Sequence, residues 1–207
     1  MSNPQNSNSV SKKPTLVIRR LAIRVMLFTA LLACIFVIVQ SCSLQKPPSL
    51  QKFAKGGLKK LQILEVPPAQ PKMTFKTANG TDISLADFHG QTILLNIWAT
   101  WCAPCVAEIP SLDKLQAQRG SASFTVVTIS MDRHIDDAKA FFKKANINNL
   151  QLYIDPTYSI SNKIGVQGIP ISVFYNPSGQ EIARIPGDVD WQSAETTALL
   201  DAILSNN

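Results

Sequence analysis

The apolar run Thr92-Ile93-Leu94-Leu95-Asn96-Ile97-Trp98 leads, after a short turn, into Trp101-Cys102-Ala103-Pro104-Cys105. A continuous run of this kind is a strand buried on both faces, as in the centre of an α/β sheet. The residues after it predict a helix over Ala103–Arg119 that stops before Gly120. Pro104 fits the first helical turn, where its missing N–H costs nothing. Cys102 therefore ends the turn with its sulfur near the first free N–H groups of a helix, and these groups and the helix dipole favour a thiolate. A thiolate is the form that attacks disulfides. Cys105 lies one turn further on, within bonding reach of Cys102. A bare C-x-x-C is also half of a zinc site. The preceding strand, the following helix and the lack of a second C-x-x-C favour a redox dithiol.

The net charge of +6 is unevenly spread. Residues 1–65 carry ten Lys/Arg against Glu65 alone, while residues 66–207 carry ten against thirteen Asp/Glu. The globular part is slightly acidic and has no basic stripe interleaved with aromatics, which argues against nucleic-acid binding. Of the 4 cysteines, Cys34 and Cys42 lie in or beside an N-terminal apolar segment. No pair remains for a structural disulfide, so stability must come from an ordinary core, which a domain of this size can bury.

Residues 1–20 read as a disordered tail facing the cytoplasm. Residues 21–44 read as a transmembrane anchor, because the charge-free stretch from Val25 to Leu44 matches a bilayer span of about 20 residues. Two alternatives are a cleaved signal peptide, for which the apolar stretch is too long, and lipid attachment at Cys34 or Cys42. Lys12, Lys13, Arg19, Arg20 and Arg24 on one side outweigh Lys46, Lys52 and Lys55 on the other. That bias puts the N-terminus inside and the domain outside. Residues 45–71 are a Pro-punctuated linker whose amphipathic part, Leu50 to Glu65, either docks on the domain as a short helix pair or lies at the membrane interface.

From residue 72 to 207 the pattern is one domain. A hairpin of Met73–Lys76 and Asp82–Leu85 turns at Ala78-Asn79-Gly80. Ser123–Ser130 is a second core strand, Ile135–Ala145 a helix, Leu150–Ile154 a short strand and Thr157–Ile164 a short helix. A second hairpin, Ile171–Tyr175 with Glu181–Ile185, turns at Asn176-Pro177-Ser178-Gly179. Trp191–Leu204 is the closing helix. The order predicts an α/β sheet covered on both faces.

Asn96-Ile97-Trp98-Ala99-Thr100-Trp101-Cys102-Ala103-Pro104-Cys105, followed by Glu108-Ile109-Pro110, resembles the thioredoxin superfamily. It is most similar to its TlpA/ResA group of membrane-anchored periplasmic thiol–disulfide oxidoreductases, and closer to TlpA than to cytosolic thioredoxin. Ala86-Asp87-Phe88-His89-Gly90 and Gly165-Val166-Gln167-Gly168-Ile169-Pro170 extend the resemblance. It implies a thioredoxin-like fold: a central mixed β-sheet with helices on both faces, an N-terminal hairpin extension and a single N-terminal transmembrane helix. It implies Cys102 as exposed nucleophile, Cys105 as buried resolving thiol, and a redox disulfide between them. It implies a cis bond before Pro170, which lets Ile169 present its backbone to an extended substrate. Trp101, Ala103 and Pro104 complete the substrate-binding set. Glu108 is the implied proton-transfer group, since it shares a helix side with Cys105. The aspartate that thioredoxins place six residues before the first cysteine is here Asn96, which cannot titrate. Trp98 and Trp101 are expected to pack around the dithiol, and Pro110 to kink the helix. His89 and His134 read as surface residues.

The resemblance further implies a reductant that needs no cofactor and no metal, anchored by one span in the bacterial inner membrane with its domain in the periplasm. Its substrates would be disulfide-containing periplasmic proteins of cytochrome c or cytochrome-oxidase copper-site maturation, copper chaperones included, and a membrane thiol-electron transporter would recharge it. The absence of histidine between the cysteines favours the reducing direction. The alternatives are a copper metallochaperone on the same fold and a membrane-tethered binding scaffold.

Overall fold

The computed structural model describes residues 20, 23–31, 50–64 and 66–205. Two units are distinguished, residues 1–46 and residues 47–207. In the first, residues 23–31 are helical and expose the apolar side chains of Val25, Met26, Leu27 and Phe28. The rest of the expected anchor, most of the tail, Cys34 and Cys42 lie outside the described residues. Among the described residues, no helix is long and apolar enough to cross a membrane.

The second unit is built on one mixed sheet. Its strands are β1 (Gln62–Ile63), β2 (Thr74–Thr77), β3 (Asp82–Ser84), β4 (Thr92–Trp98), β5 (Phe124–Ser130), β6 (Leu152–Ile154), β7 (Ile171–Tyr175) and β8 (Glu181–Pro186). They lie in the order β1-β8-β7-β4-β5-β6-β2-β3. β4, β5 and β6 are parallel, and β7 runs antiparallel to β4. The helices are α1 (Ala103–Arg119), α2 (Ile135–Lys144), α3 (Ser159–Lys163) and α4 (Ala194–Leu204). The β2–β3 hairpin extends the sheet at its β6 edge.

Every residue of β4 is buried, and its side chains alternate between two cores. Leu94 and Trp98 face Cys102, Cys105 and Ile109 of the α1 side, together with Ala138 of α2 and Leu199 of α4. Ile93, Leu95 and Ile97 face the other side, with Leu85 and the α3 residue Ile160. Both faces are thus covered, as the chain order predicted. α2 is held by acids in its first turn and lysines in its last, which complements the helix dipole. α1 runs unbroken through Pro110.

The segment before the domain takes the docked alternative in a different form. Short 3-10 turns at Leu50–Phe53 and Gly56–Leu58 replace the expected helix pair. They bring Leu58 and Leu61 into the α1-side core. β1 follows, pairing antiparallel with β8 through Gln62↔Arg184. Two residues of strand carry no readable periodicity, so β1 is invisible before the sheet edge that receives it exists.

Candidate active site

Cys102 is the N-cap of α1, and its Sγ accepts a hydrogen bond from the Cys105 backbone N–H at 3.3 Å. The sulfur thus sits where the helix dipole and a free amide stabilise negative charge. Cys102 and Cys105 form a disulfide, with Cα atoms 5.2 Å apart. Cys102 keeps 7% of its surface and Cys105 none, so one sulfur alone is open to an incoming thiol, although only at its edge. The Ile169–Pro170 bond is cis. Ile169 presents its carbonyl oxygen 3.7 Å from Cys102 Sγ. Gly187 (φ +89°), a conformation that suits glycine, donates its N–H to Pro170 O at 2.8 Å and fixes this loop against the end of β8. Beside the loop lies an open groove of ≈ 410 Å³, lined by Val166, Gly168, Ile169, Arg184 and Pro186 among others.

The remaining site residues divide. Trp101 is 62% exposed and stands beside Cys102 in solvent, contrary to the expectation that it packs around the dithiol. An indole this exposed is available to a partner. Ala103 and Pro104 are exposed with it. Trp98 is fully buried and stacks on Phe142 at 5.7 Å, with Phe141 also against it. His89 Nε2 lies 2.6 Å from Gln70 Nε2, and His134 precedes α2. Among the described residues, no group of three or more His, Cys, Asp or Glu could hold a metal ion.

Glu108 is 4% exposed, one turn after Cys105. Its Oε1 accepts from Trp191 Nε1 at 2.7 Å and from Val189 N at 3.3 Å. Its Oε2 accepts from Asn96 Nδ2 at 3.3 Å. Burial pushes its pKa up to about 7, because a desolvated carboxylate is disfavoured more than the three donors favour it, and the charge of Asp188 adds to the rise. The carboxyl therefore exchanges its proton near neutrality, where a thiol-exchange site needs an acid and base.

Sequence reasoning did not find the residues that hold these groups. Trp191 belongs to the segment before α4, and nothing local shows that its indole reaches back to α1. Asn96, marked by sequence only as a residue that cannot titrate, donates to both Glu108 Oε2 and Ser172 Oγ. Asp132 is 2% exposed and binds the turn ahead of the dithiol. Both its oxygens lie 3.2 Å from Thr100 N. Thr100 Oγ1 and Ser130 Oγ donate to it as well. A carboxylate two residues past β5, beside a threonine just before a C-x-x-C, was the available signal. Replacing Asp132 with alanine will remove the acceptor of the half-buried Thr100 N–H and free the turn. The expected result is about 2 kcal/mol lower stability by denaturant unfolding, because bonds to a charged acceptor are lost. Slower reduction of a disulfide reporter should accompany it.

The Redoxin family model matches residues 66–200, which span β2 to β8, the dithiol and the cis-proline loop. The chain belongs to the Redoxin family. It is a ResA-like protein-disulfide oxidoreductase of the thioredoxin superfamily. Thiol-disulfide oxidoreductase ResA of Bacillus cereus is 27% identical over 134 residues, covering 65% of this chain and 77% of that protein. A thiol:disulfide interchange protein of the thioredoxin family from Chlorobium tepidum superposes with a TM-score of 0.57 at 26% identity, covering 68% of this chain and 99% of that one. A DsbF homologue from Corynebacterium diphtheriae gives 0.57 at 23% identity, over 72% and 96% of the two chains, and shares the fold. In this chain the exchange site sits on the helix start, with the buried acid Glu108 behind it.

Proposed function

We propose that the protein is a membrane-tethered reductant of disulfides in periplasmic partner proteins. The observation that carries this reading is the placement of Cys102: its sulfur caps α1, edges into solvent and lies 3.7 Å from the Ile169 carbonyl. A partner strand lying along Ile169 would bring its disulfide onto that sulfur. Trp101 and the groove beside Val166 and Gly168 offer the apolar and backbone surface to hold it.

The cycle balances within the two proteins. The Cys102 thiolate attacks one partner sulfur and expels the other as a thiolate. Cys105, deprotonated by Glu108, then attacks Cys102 in the mixed disulfide. The partner leaves with two reduced cysteines, having gained two electrons, and Cys102–Cys105 is left oxidised. A membrane thiol-electron transporter would restore the dithiol. The reducing direction is supported by Ala103-Pro104 between the cysteines, which supplies no cationic histidine to stabilise the thiolate. The tether at residues 21–44, the inner-membrane, periplasm-facing location and the substrates, cysteine pairs of cytochrome c or of cytochrome-oxidase copper-site maturation, rest on the charge pattern and the family resemblance.

Equilibrating the full-length protein with dithiothreitol or glutathione tests the direction. A reductant is expected to show a potential near the thioredoxin level of about −270 mV, and a value near −120 mV would make it an oxidant instead.

A further inference from the structure

Asn96 is fully buried in β4, and its two polar atoms are treated unequally. Nδ2 donates to Glu108 Oε2 and, at 3.0 Å, to Ser172 Oγ. Oδ1 is buried without a hydrogen-bond partner. Once Glu108 is ionised its carboxylate fixes this orientation, since turning the amide over would set oxygen against oxygen. A buried amide oxygen left unpaired has given up its water without compensation, and such orphans in folded proteins call for an explanation.

Its surroundings supply one. Side chains of β4 alternate, and Asn96 shares the parity of Leu94 and Trp98, which pack with Cys102, Cys105 and Ile109. Asn96 bonds to Glu108, and Cys105 precedes Glu108 by one turn on the same side of α1. Ser172, its other partner, lies opposite it in β7, two residues past Pro170. The amide is therefore enclosed between the dithiol helix and the cis-proline strand. A disulfide sulfur has no proton to donate. Reduction by a dithiol moves two electrons and two protons onto Cys102 and Cys105, and the buried Cys105 thereby gains an S–H.

We propose that Asn96 Oδ1 accepts the Cys105 S–H in the reduced protein, so that this amide is satisfied in one redox state only and sets the potential of the dithiol. The inference rests on the reductase reading for its purpose: the reduced form, which waits for a partner, is the one in which Asn96 Oδ1 is paired.

Asn96→Leu keeps the volume and removes the acceptor. At pH 8, where Glu108 is ionised, the substitution should shift the equilibrium with dithiothreitol about tenfold toward the disulfide, or about 30 mV more negative. The same factor should appear as a larger loss of unfolding stability in the reduced protein than in the oxidised protein. Equal losses in both states, with an unchanged potential, would overturn the proposal and leave Asn96 a packing residue. If the variant does not fold, the reduced wild-type protein decides: Oδ1 within hydrogen-bond distance of Cys105 Sγ is expected, and an amide turned away or bonded elsewhere refutes it. Neither outcome depends on partner reduction, so a failure here leaves mixed-disulfide formation through Cys102 untouched.

Discussion

Replacing Cys102 with serine will lower disulfide reduction by at least about a thousandfold, while Cys105→Ser will convert the protein into a trap. The two sulfurs are chemically alike but differ in place. Cys102 receives the Cys105 amide at the start of α1 and keeps an edge in solvent, whereas Cys105 is sealed. A serine hydroxyl at 102 does not ionise near neutrality, so the nucleophile is lost, and losses of this size follow when a covalent nucleophile is removed. With Cys105→Ser the first attack is intact and the second is gone. Mixed disulfides through Cys102 should then accumulate and dissolve on adding dithiothreitol. Non-reducing gels of cells carrying the variant measure this, and the trapped proteins identify the substrates. A variant that forms no adducts, in a protein whose wild type reduces a reporter, would remove Cys102 from the role of attacking sulfur. A tethered scaffold would show neither behaviour.

The second large effect is a pH dependence that belongs to Glu108. Its pKa in the folded protein is about 7, raised from 4.5. Below about pH 4.5 the carboxyl is neutral in both folded and unfolded chains, so its burial carries no ionic penalty. Between 4.5 and 7 the unfolded chain ionises while the folded one holds its proton, and stability falls as pH rises. Above 7 the full penalty, about 3 kcal/mol, is present. Glu108→Gln should abolish that decline, so that in urea unfolding the variant gains on wild type between pH 5 and pH 8. The cost appears in exchange: without a carboxyl to take the Cys105 proton, resolution of the mixed disulfide should slow by about a hundredfold. The rise of rate near pH 7 should vanish with it. A variant that keeps the wild-type pH–rate profile would separate the buried acid from the chemistry. The two measurements belong together, because a carboxyl kept at a stability cost is expected to return something in function.

That Glu108 shares a side of α1 with Cys105 follows from helical spacing. That the carboxyl is buried, and so titrates near neutrality, follows from Trp191 and Val189 lying over it, which no spacing along the chain contains. Trp101 runs the opposite way. An aromatic beside a dithiol reads as packing, yet Trp101 is left exposed in the turn between β4 and α1.

The sequence alone determined what neighbouring residues can write. A continuous apolar run made β4 a buried strand, Asn176-Pro177-Ser178-Gly179 turned the second hairpin, and Cys102 fell at the cap of α1 because Ala103 and Pro104 begin a helix there. Only the tertiary structure decided the rest. The strand order sets β7 beside β4 and β8 beyond β7, which brings Ser172 and Ile169 towards the dithiol, and the chain after β8 returns Trp191 to Glu108. The same order leaves the β8 edge open for β1, and the parallel pairing of β4 with β5 brings Asp132 to Thr100. Burial and its effect on a charge are sums over groups far apart in the chain, so they exist only once the chain has closed around them.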